Sequence, residues 1–172
     1  KDPSLYHLPP QSIEAEEALL SSVLIDNSTL YDILDILTPD DFYKPAHQKI
    51  FAAVVTLNEQ NEPVDLVTLT TLLKEQGQLK EIGGAAYLAR LVDTIPVAAN
   101  AVQYAKIIHE KAALRFLIEK SNDIVKRCFE DRGDVEAVID YAEQAVFAIS
   151  EKKINPAFIH ISNIIESNID AL

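Results

Sequence analysis

The sequence has no methionine, one cysteine and four glycines in 172 residues. Because methionine is missing even from position 1, and because Leu172 falls within a helical pattern, we expect the chain to be a piece of a longer polypeptide. The single Cys128 cannot form an internal disulfide, and no secretory leader pattern precedes the domain. A reducing cytoplasm is therefore the expected setting. No apolar run reaches the roughly 18 residues that a membrane span needs, so no membrane association is expected.

Positive charge is also scarce. The chain carries 15 Lys and Arg residues against 27 Asp and Glu residues, a formal net charge of -12. Nucleic-acid affinity depends mainly on neutralising phosphates with Lys and Arg, so most of this surface should repel DNA. Lys126 and Arg127 are locally basic, but acidic neighbours cancel them. We expect DNA to bind weakly at best.

Residue patterns for nucleotide, metal or catalytic chemistry are missing as well. The glycines never form a phosphate-binding loop, and no Gly-Lys-Ser/Thr occurs, which excludes a P-loop in this segment. His109 and Glu110 begin like a zinc-protease helix, but Ala113 stands where the second histidine would be. The other histidines are scattered, and helix capping explains the aspartate pairs. We therefore predict no catalytic, metal or cofactor site and no enzymatic activity in this chain.

The apolar residues recur at helical spacing almost throughout, which predicts an all-α fold. Ser12 and Asp65 are expected to cap helices over 13–24 and 65–76, with Glu14, Glu16 and Glu17 complementing the dipole of the first. Asn27 or Ser28 should open a helix ending near Leu37. Further helices are expected after Pro39, from Pro45 to about Asn58, and from Gly83-Gly84 to Asp93.

The longest pattern covers residues 98–130, about 50 Å of helix, and the chain should then return as an antiparallel hairpin. The returning helix has an expected buried stripe: Val135, Val138, Ala142, Ala145, Val146 and Ile149. The long helix carries two apolar seams, first Leu114, Leu117, Ile124 and Cys128, then Ile118, Val125 and Phe129. Packing of the two hairpin helices buries one of these seams, and Phe147 on the returning helix should point away from the long helix. The surplus predicts self-association or a partner protein; a broad stripe packed on the head is the alternative.

A final amphipathic helix follows a break at residues 152–156. Ser162 is placed to cap it, and one face carries Ile161, Ile164, Ile165, Ile169 and Leu172. We expect this face to dock on a partner, unless it folds back on its own domain. The predicted organisation is a compact multi-helix head over 1–97, a hairpin over 98–151, and a linker with its helix over 152–172.

Several short sequence segments, taken in order along the chain, resemble the amino-terminal domain of the bacterial replicative DNA helicase DnaB. They are residues 8–16 (LPPQSIEAE), 41–51 (DFYKPAHQKIF), 62–69 (EPVDLVTL), 83–88 (GGAAYL) and 98–100 (AAN). The match of order and spacing covers essentially the whole chain. What departs from the full-length family is the motor domain, which would hold ATP and Mg²⁺ and is not in this sequence.

The resemblance implies an oligomerisation and partner-docking domain of a hexameric, ATP-dependent helicase that acts in DNA replication. In this family the domain forms a collar, a trimer of dimers, that binds primase and loader proteins, and the linker helix docks on a neighbouring motor domain. Val125, Phe129 and Phe147 are then candidates for the oligomer interface, and the terminal isoleucines with Leu172 for linker docking.

The primase-facing candidates are Glu14, Tyr87, Ile118 and Ile124, because an exposed tyrosine or isoleucine is a suitable anchor where head and hairpin meet. Tyr87 could instead be a core aromatic that follows the double glycine. A different class of function stays open beside the helicase domain: a free-standing helical adaptor for a protein unrelated to replication.

Overall fold

A computed structural model describes residues 8–94, 100–130 and 135–154, and their side chains except those of residues 94 and 149–154. All regular structure in these ranges is helical, which confirms the all-α prediction. The helices are α1 (Ile13–Ile25), α2 (Leu30–Leu34), α3 (Pro45–Glu59), α4 (Leu66–Glu75), α5 (Gly84–Thr94), α6 (Ala101–Glu130) and α7 (Val135–Ile154).

The predicted caps of α1 and α4 are confirmed. The Ser12 hydroxyl accepts a hydrogen bond from the Ala15 N–H at the start of α1. At the start of α4, one Asp65 carboxylate oxygen accepts from the Thr68 N–H at 2.9 Å and from the Val67 N–H at 2.8 Å. The bond from Thr68, assisted by that from Val67, holds the pKa of Asp65 below its ordinary value.

The second predicted helix is shorter than expected. Residues Asn27–Thr29 form a 3₁₀ turn, and α2 ends at Leu34 rather than near Leu37. The Asn27 side chain is tied to a distant segment, because it donates to the Val64 carbonyl at 2.8 Å and accepts from the Val64 N–H at 3.1 Å. Pro39 disfavours a helical conformation at Thr38, the residue before it, so α2 could not have continued far beyond Leu37.

The head is a compact unit over Gln11–Ala112. Its core brings together side chains from α1 to α5 and from the first turns of α6, where Ala101, Ala105 and Ile108 are buried. Phe42 and Phe51 pack with ring centroids 4.9 Å apart. This compact unit includes the first turns of α6, which pack in its core; the predicted domain boundaries at residues 97 and 151 stay predictions.

The second unit contains residues 8–10 and the described residues from Ala113 onward. The Arg115 guanidinium donates to the Pro10 carbonyl at 2.8 Å. Near the end of α6, the Arg127 guanidinium lies 3.7 Å from the centroid of the Tyr141 ring in α7. This contact joins the last turns of α6 to the first turns of α7, as in an antiparallel hairpin.

The predicted buried stripe of α7 is partly wrong. Ala145 is buried and Val138 and Ala142 are half-buried, but Val135 and Val146 are exposed. Ile149 lies outside the described side chains. The first seam of α6 is also more open than expected, since only Ile124 is half-buried and Leu114, Leu117 and Cys128 are exposed. In α7 the described buried position is a small alanine, so the larger apolar side chains beside it remain open to solvent.

Candidate functional site

A buried carboxylate joins α1 to the start of α3 in the head. Glu16 is 1% exposed. One of its oxygens accepts from the Tyr43 N–H at 2.7 Å, and the other accepts from the Lys44 N–H at 3.4 Å and contacts the His47 Nδ1 at 2.7 Å. The carboxylate lies beside the N-terminus of α3, where the helix dipole stabilises negative charge.

His47 and Tyr87 continue this network toward α5. An ionised carboxylate can only accept, so Nδ1 of His47 carries a proton and donates to Glu16. The other ring nitrogen, Nε2, is 2.6 Å from the Tyr87 hydroxyl. That hydroxyl also lies 2.9 Å from the Lys44 Nζ and 3.3 Å from a carboxylate oxygen of Glu17. We call Glu16, Glu17, Lys44, His47 and Tyr87 the head network.

Two cations flank the Tyr87 ring. The Lys44 Nζ is 4.8 Å and the Arg90 Cζ 4.9 Å from the ring centroid. Tyr87 itself is only 9% exposed. The prediction of an exposed tyrosine anchor is therefore wrong, and the alternative of a core aromatic describes its packing. The hydroxyl contacts two groups that reach the surface, Lys44 and Glu17, whose side chains are about one-third exposed.

Glu16 and His47 were not predicted as members of a site. The sequence pattern assigns Glu16 to dipole complementation and leaves His47 as one of several scattered histidines. Both have a signal in the sequence, because each stands on the apolar face of its helix. Glu16 precedes the buried Leu20 and Val23 by four and seven residues, and His47 precedes the buried Phe51 and Val54 by the same spacings.

Gly83 allows Tyr87 to sit close to the backbone. Its φ is +101°, and a Cβ at this position would lie 3.1 Å from the Tyr87 Cβ. Gly77 has a φ of +71°, but a Cβ added there would have no neighbour within 4 Å, so this position isolates the cost of backbone strain. The two glycines therefore form a matched pair.

We expect Gly83→Ala to lower the free energy of unfolding more than Gly77→Ala does. Backbone strain should cost Gly77→Ala about 1–2 kcal/mol and at least as much at the larger φ of Gly83, and only Gly83→Ala adds a steric conflict with Tyr87. Urea denaturation followed by circular dichroism measures both. Equal losses would show that the Tyr87 ring yields to the added methyl group at no cost.

The exposed apolar residues of the hairpin form a second candidate site. Ile118, Val125 and Phe129 follow one another at seven and four residues along α6, and all are exposed, Phe129 at 85%. On α7, Phe147 is 65% exposed. We call the following set the hairpin apolar surface: Leu114, Leu117, Ile118, Val125, Phe129, Val135, Ile139, Val146 and Phe147. Side chains of this size are normally buried or held for a partner when they occur together.

The other predicted residues are distributed between the two units. Glu14 is exposed on α1 of the head, which also holds Tyr87, whereas Ile118 and the half-buried Ile124 belong to the hairpin. The predicted linker-docking residues, Ile161, Ile164, Ile165, Ile169 and Leu172, lie outside the described residues.

Neither a metal-binding cluster nor a membrane-spanning helix is found in the described part of the chain. In it, no three His, Cys, Asp or Glu side chains are grouped so as to hold a metal ion. Likewise, none of the helices over residues 8–94, 100–130 and 135–154 combines the length and apolar character of a membrane span.

A family model described as "DnaB-like helicase N terminal domain" matches residues 8–110. The chain is 42% identical over 163 residues to "Replicative DNA helicase DnaB" of Geobacillus stearothermophilus, covering 95% of this chain and 36% of that protein. It is 39% identical to "Replicative DNA helicase DnaC" of Bacillus subtilis, with the same two coverages. The chain thus spans about a third of the length of these curated relatives.

Two solved structures resemble the fold. The crystal structure of the N-terminal domain of DnaB helicase from Mycobacterium tuberculosis aligns with a TM-score of 0.78 and 40% identity, over 82% of this chain and 99% of that one. The structure of a DnaB-like replicative helicase and its interactions with primase aligns with a TM-score of 0.69 and 21% identity, over 91% of this chain and 36% of that one. At that identity, the second likeness concerns the fold alone. The family model, the relatives and the shared all-α fold place this chain in the DnaB-like helicase N-terminal domain family.

Proposed function

We propose that this chain is the non-catalytic oligomerisation and partner-docking part of a hexameric, ATP-dependent replicative DNA helicase. Its relatives are replicative helicases of which it spans about a third, and its 172 residues contain no P-loop. ATP and Mg²⁺ would therefore be held by another part of the same protein. The alternative of an adaptor unrelated to replication is not favoured, because replicative helicases match this chain over 95% of its length.

The observation that carries the proposal is the hairpin apolar surface. Phe129 and Phe147 are exposed on different helices of one unit, and the intervening positions offer further apolar side chains. Burying a phenylalanine is worth about 1.5–3 kcal/mol, so a few such residues can hold two subunits together. We assign Val125, Phe129 and Phe147 to contacts between copies of this chain, within the hexameric trimer-of-dimers collar of the family.

We expect Phe129→Glu or Phe147→Glu to lower the oligomeric mass of the chain. Each substitution removes about 1.5–3 kcal/mol of apolar burial per contact, which corresponds to about 10- to 150-fold weaker association. Light scattering coupled to size-exclusion chromatography, over a concentration series, measures the mass. Circular dichroism should show unchanged helix content, because neither ring lies in the core.

Tyr31→Glu is the matched control. Tyr31 is 71% exposed on α2 of the head, so this change places the same charge on an exposed aromatic outside the hairpin. The oligomeric mass of this variant should equal that of the parent. Unfolding of the Phe129 variant, or an equal loss of mass in all three variants, would contradict the assignment.

Primase and loader binding are the proposed partner functions. One solved structure with this fold concerns a DnaB-like replicative helicase and its interactions with primase. For this chain we propose Glu14, Ile118 and Ile124 as direct primase-facing residues. For the buried Tyr87 we propose an indirect contribution, through the contacts of its hydroxyl with Lys44 and Glu17. The linker residues between Ile161 and Leu172 are proposed to dock on a neighbouring motor domain.

A further inference from the structure

The Tyr87 hydroxyl has one proton and two competing acceptors. His47 Nε2 lies 2.6 Å from its oxygen, and a Glu17 carboxylate oxygen lies 3.3 Å from it on the surface side. The third neighbour, the Lys44 ammonium at 2.9 Å, can only donate and therefore takes a lone pair of the hydroxyl. Which of the two acceptors the Tyr87 hydroxyl donates its hydrogen bond to depends on the protonation state of His47.

At the buried end of this series of hydrogen bonds, the contact with Glu16 determines which ring nitrogen of His47 can gain a proton. Its Nδ1 donates to Glu16 at 2.7 Å and keeps its proton in either state. In the neutral ring Nε2 is bare, so the Tyr87 hydroxyl donates to it. When Nε2 takes one proton from solvent, the nitrogen becomes a donor and the hydroxyl must accept from it. The Tyr87 proton then stays on its own oxygen and turns to the remaining acceptor, Glu17.

We propose that the head network is a proton-responsive relay, in which uptake of a proton by the buried His47 redirects the Tyr87 hydroxyl from His47 to Glu17 on the surface of the head. In the neutral state Glu17 faces Lys44, with the Lys44 Nζ 3.9 Å from its carboxylate. In the protonated state Glu17 also accepts the hydrogen bond of the Tyr87 hydroxyl. The relay thereby changes how Lys44 and Glu17 are presented to solvent and to a partner.

Charged groups from three parts of the head face this relay. Glu16 and Glu17 from α1 stabilise an imidazolium at His47. Lys44, just before α3, and Arg90 on α5 lie against the Tyr87 ring and oppose it, as does the complete burial of His47.

Nuclear magnetic resonance of the isotopically labelled chain tests the relay. Imidazole ¹⁵N shifts report the state of each ring nitrogen, and His47→Gln identifies the His47 signals among the four histidines. As the pH is lowered within the range where the protein stays folded, Nδ1 should stay protonated while Nε2 gains a proton. The Tyr87 Cζ and Glu17 Cδ shifts should each show an inflection at the same midpoint. A His47 ring that stays neutral until the protein unfolds would overturn the proposal.

Two variants separate the relay from independent titrations. Tyr87→Phe keeps the ring and removes the hydroxyl, so the Glu17 inflection at the His47 midpoint should be lost. Glu17→Ala removes the half-buried acceptor at the surface. In this variant the Tyr87 Cζ inflection at the His47 midpoint should become smaller. The measurement also tests the relay if Tyr87→Phe does not fold. An undiminished inflection in either folded variant would show that the hydroxyl does not couple His47 to Glu17.

Discussion

Replacing Glu16 with alanine is expected to lower the free energy of unfolding by about 3–5 kcal/mol. The carboxylate is nearly completely buried and accepts from the Tyr43 N–H and the His47 ring. Removing it deprives both donors of this acceptor, and a buried polar group that loses a partner bears the cost of its desolvation. A cavity adds to that loss.

Glu14→Ala is the control for this prediction. Glu14 lies half a turn away on α1 and is exposed, so the same chemical change should alter the free energy of unfolding by no more than about 0.5 kcal/mol. Urea denaturation of both variants and the parent, at one pH, measures the difference. A loss below about 1 kcal/mol for Glu16→Ala would mean that water replaces the carboxylate, and that the head network does not bind α1 to α3.

Helix starts in this protein were predictable because their signals are local. Ser12 and Asp65 bond to N–H groups only two or three residues ahead, so the sequence alone contains the whole interaction. Glycines with positive φ at positions 77 and 83 likewise mark the end of α4 and the approach to α5. The family resemblance, carried by phrases along the chain, is confirmed by the family model and the relatives.

The errors arise where distant residues meet. A helix was expected to begin at Asn27 or Ser28, and a 3₁₀ turn begins at Asn27; no local pattern indicated that the Asn27 side chain bonds to Val64, 37 residues away. The contact of Glu16 with His47 spans 31 residues and depends on how α1 packs against α3. Local patterns place both residues on apolar faces, yet only the packed fold shows that they face each other.

The hairpin shows a different reason for a partial prediction. Helical periodicity identifies which side chains share a face, but it does not say how closely two faces approach. Here α7 offers small alanines at positions 142 and 145, while Val135 and Val146 remain exposed. Oligomer contacts at Phe129 and Phe147 stay a prediction, to be decided by the light-scattering series.

Phe51→Ala is expected to lower the free energy of unfolding by about 3–5 kcal/mol through loss of core packing. The Phe51 side chain is completely buried in α3, and its ring centroid is 4.9 Å from that of Phe42. The substitution removes apolar burial and an aromatic contact, and leaves a cavity that the surrounding helices can fill only partly. Because Glu16→Ala removes hydrogen bonds and Phe51→Ala removes apolar packing, the two variants probe different forces in one core.

Tyr31→Ala separates this packing effect from the loss of any aromatic ring. Tyr31 is exposed on α2, so its removal should change the free energy of unfolding by no more than about 0.5 kcal/mol. Filling the Phe51 cavity with Phe51→Leu should recover part of the loss, since most of the buried volume returns. If Phe51→Ala and Tyr31→Ala cost the same, Phe51 would not be a core residue, and the packing of α3 at the centre of the head would be wrong.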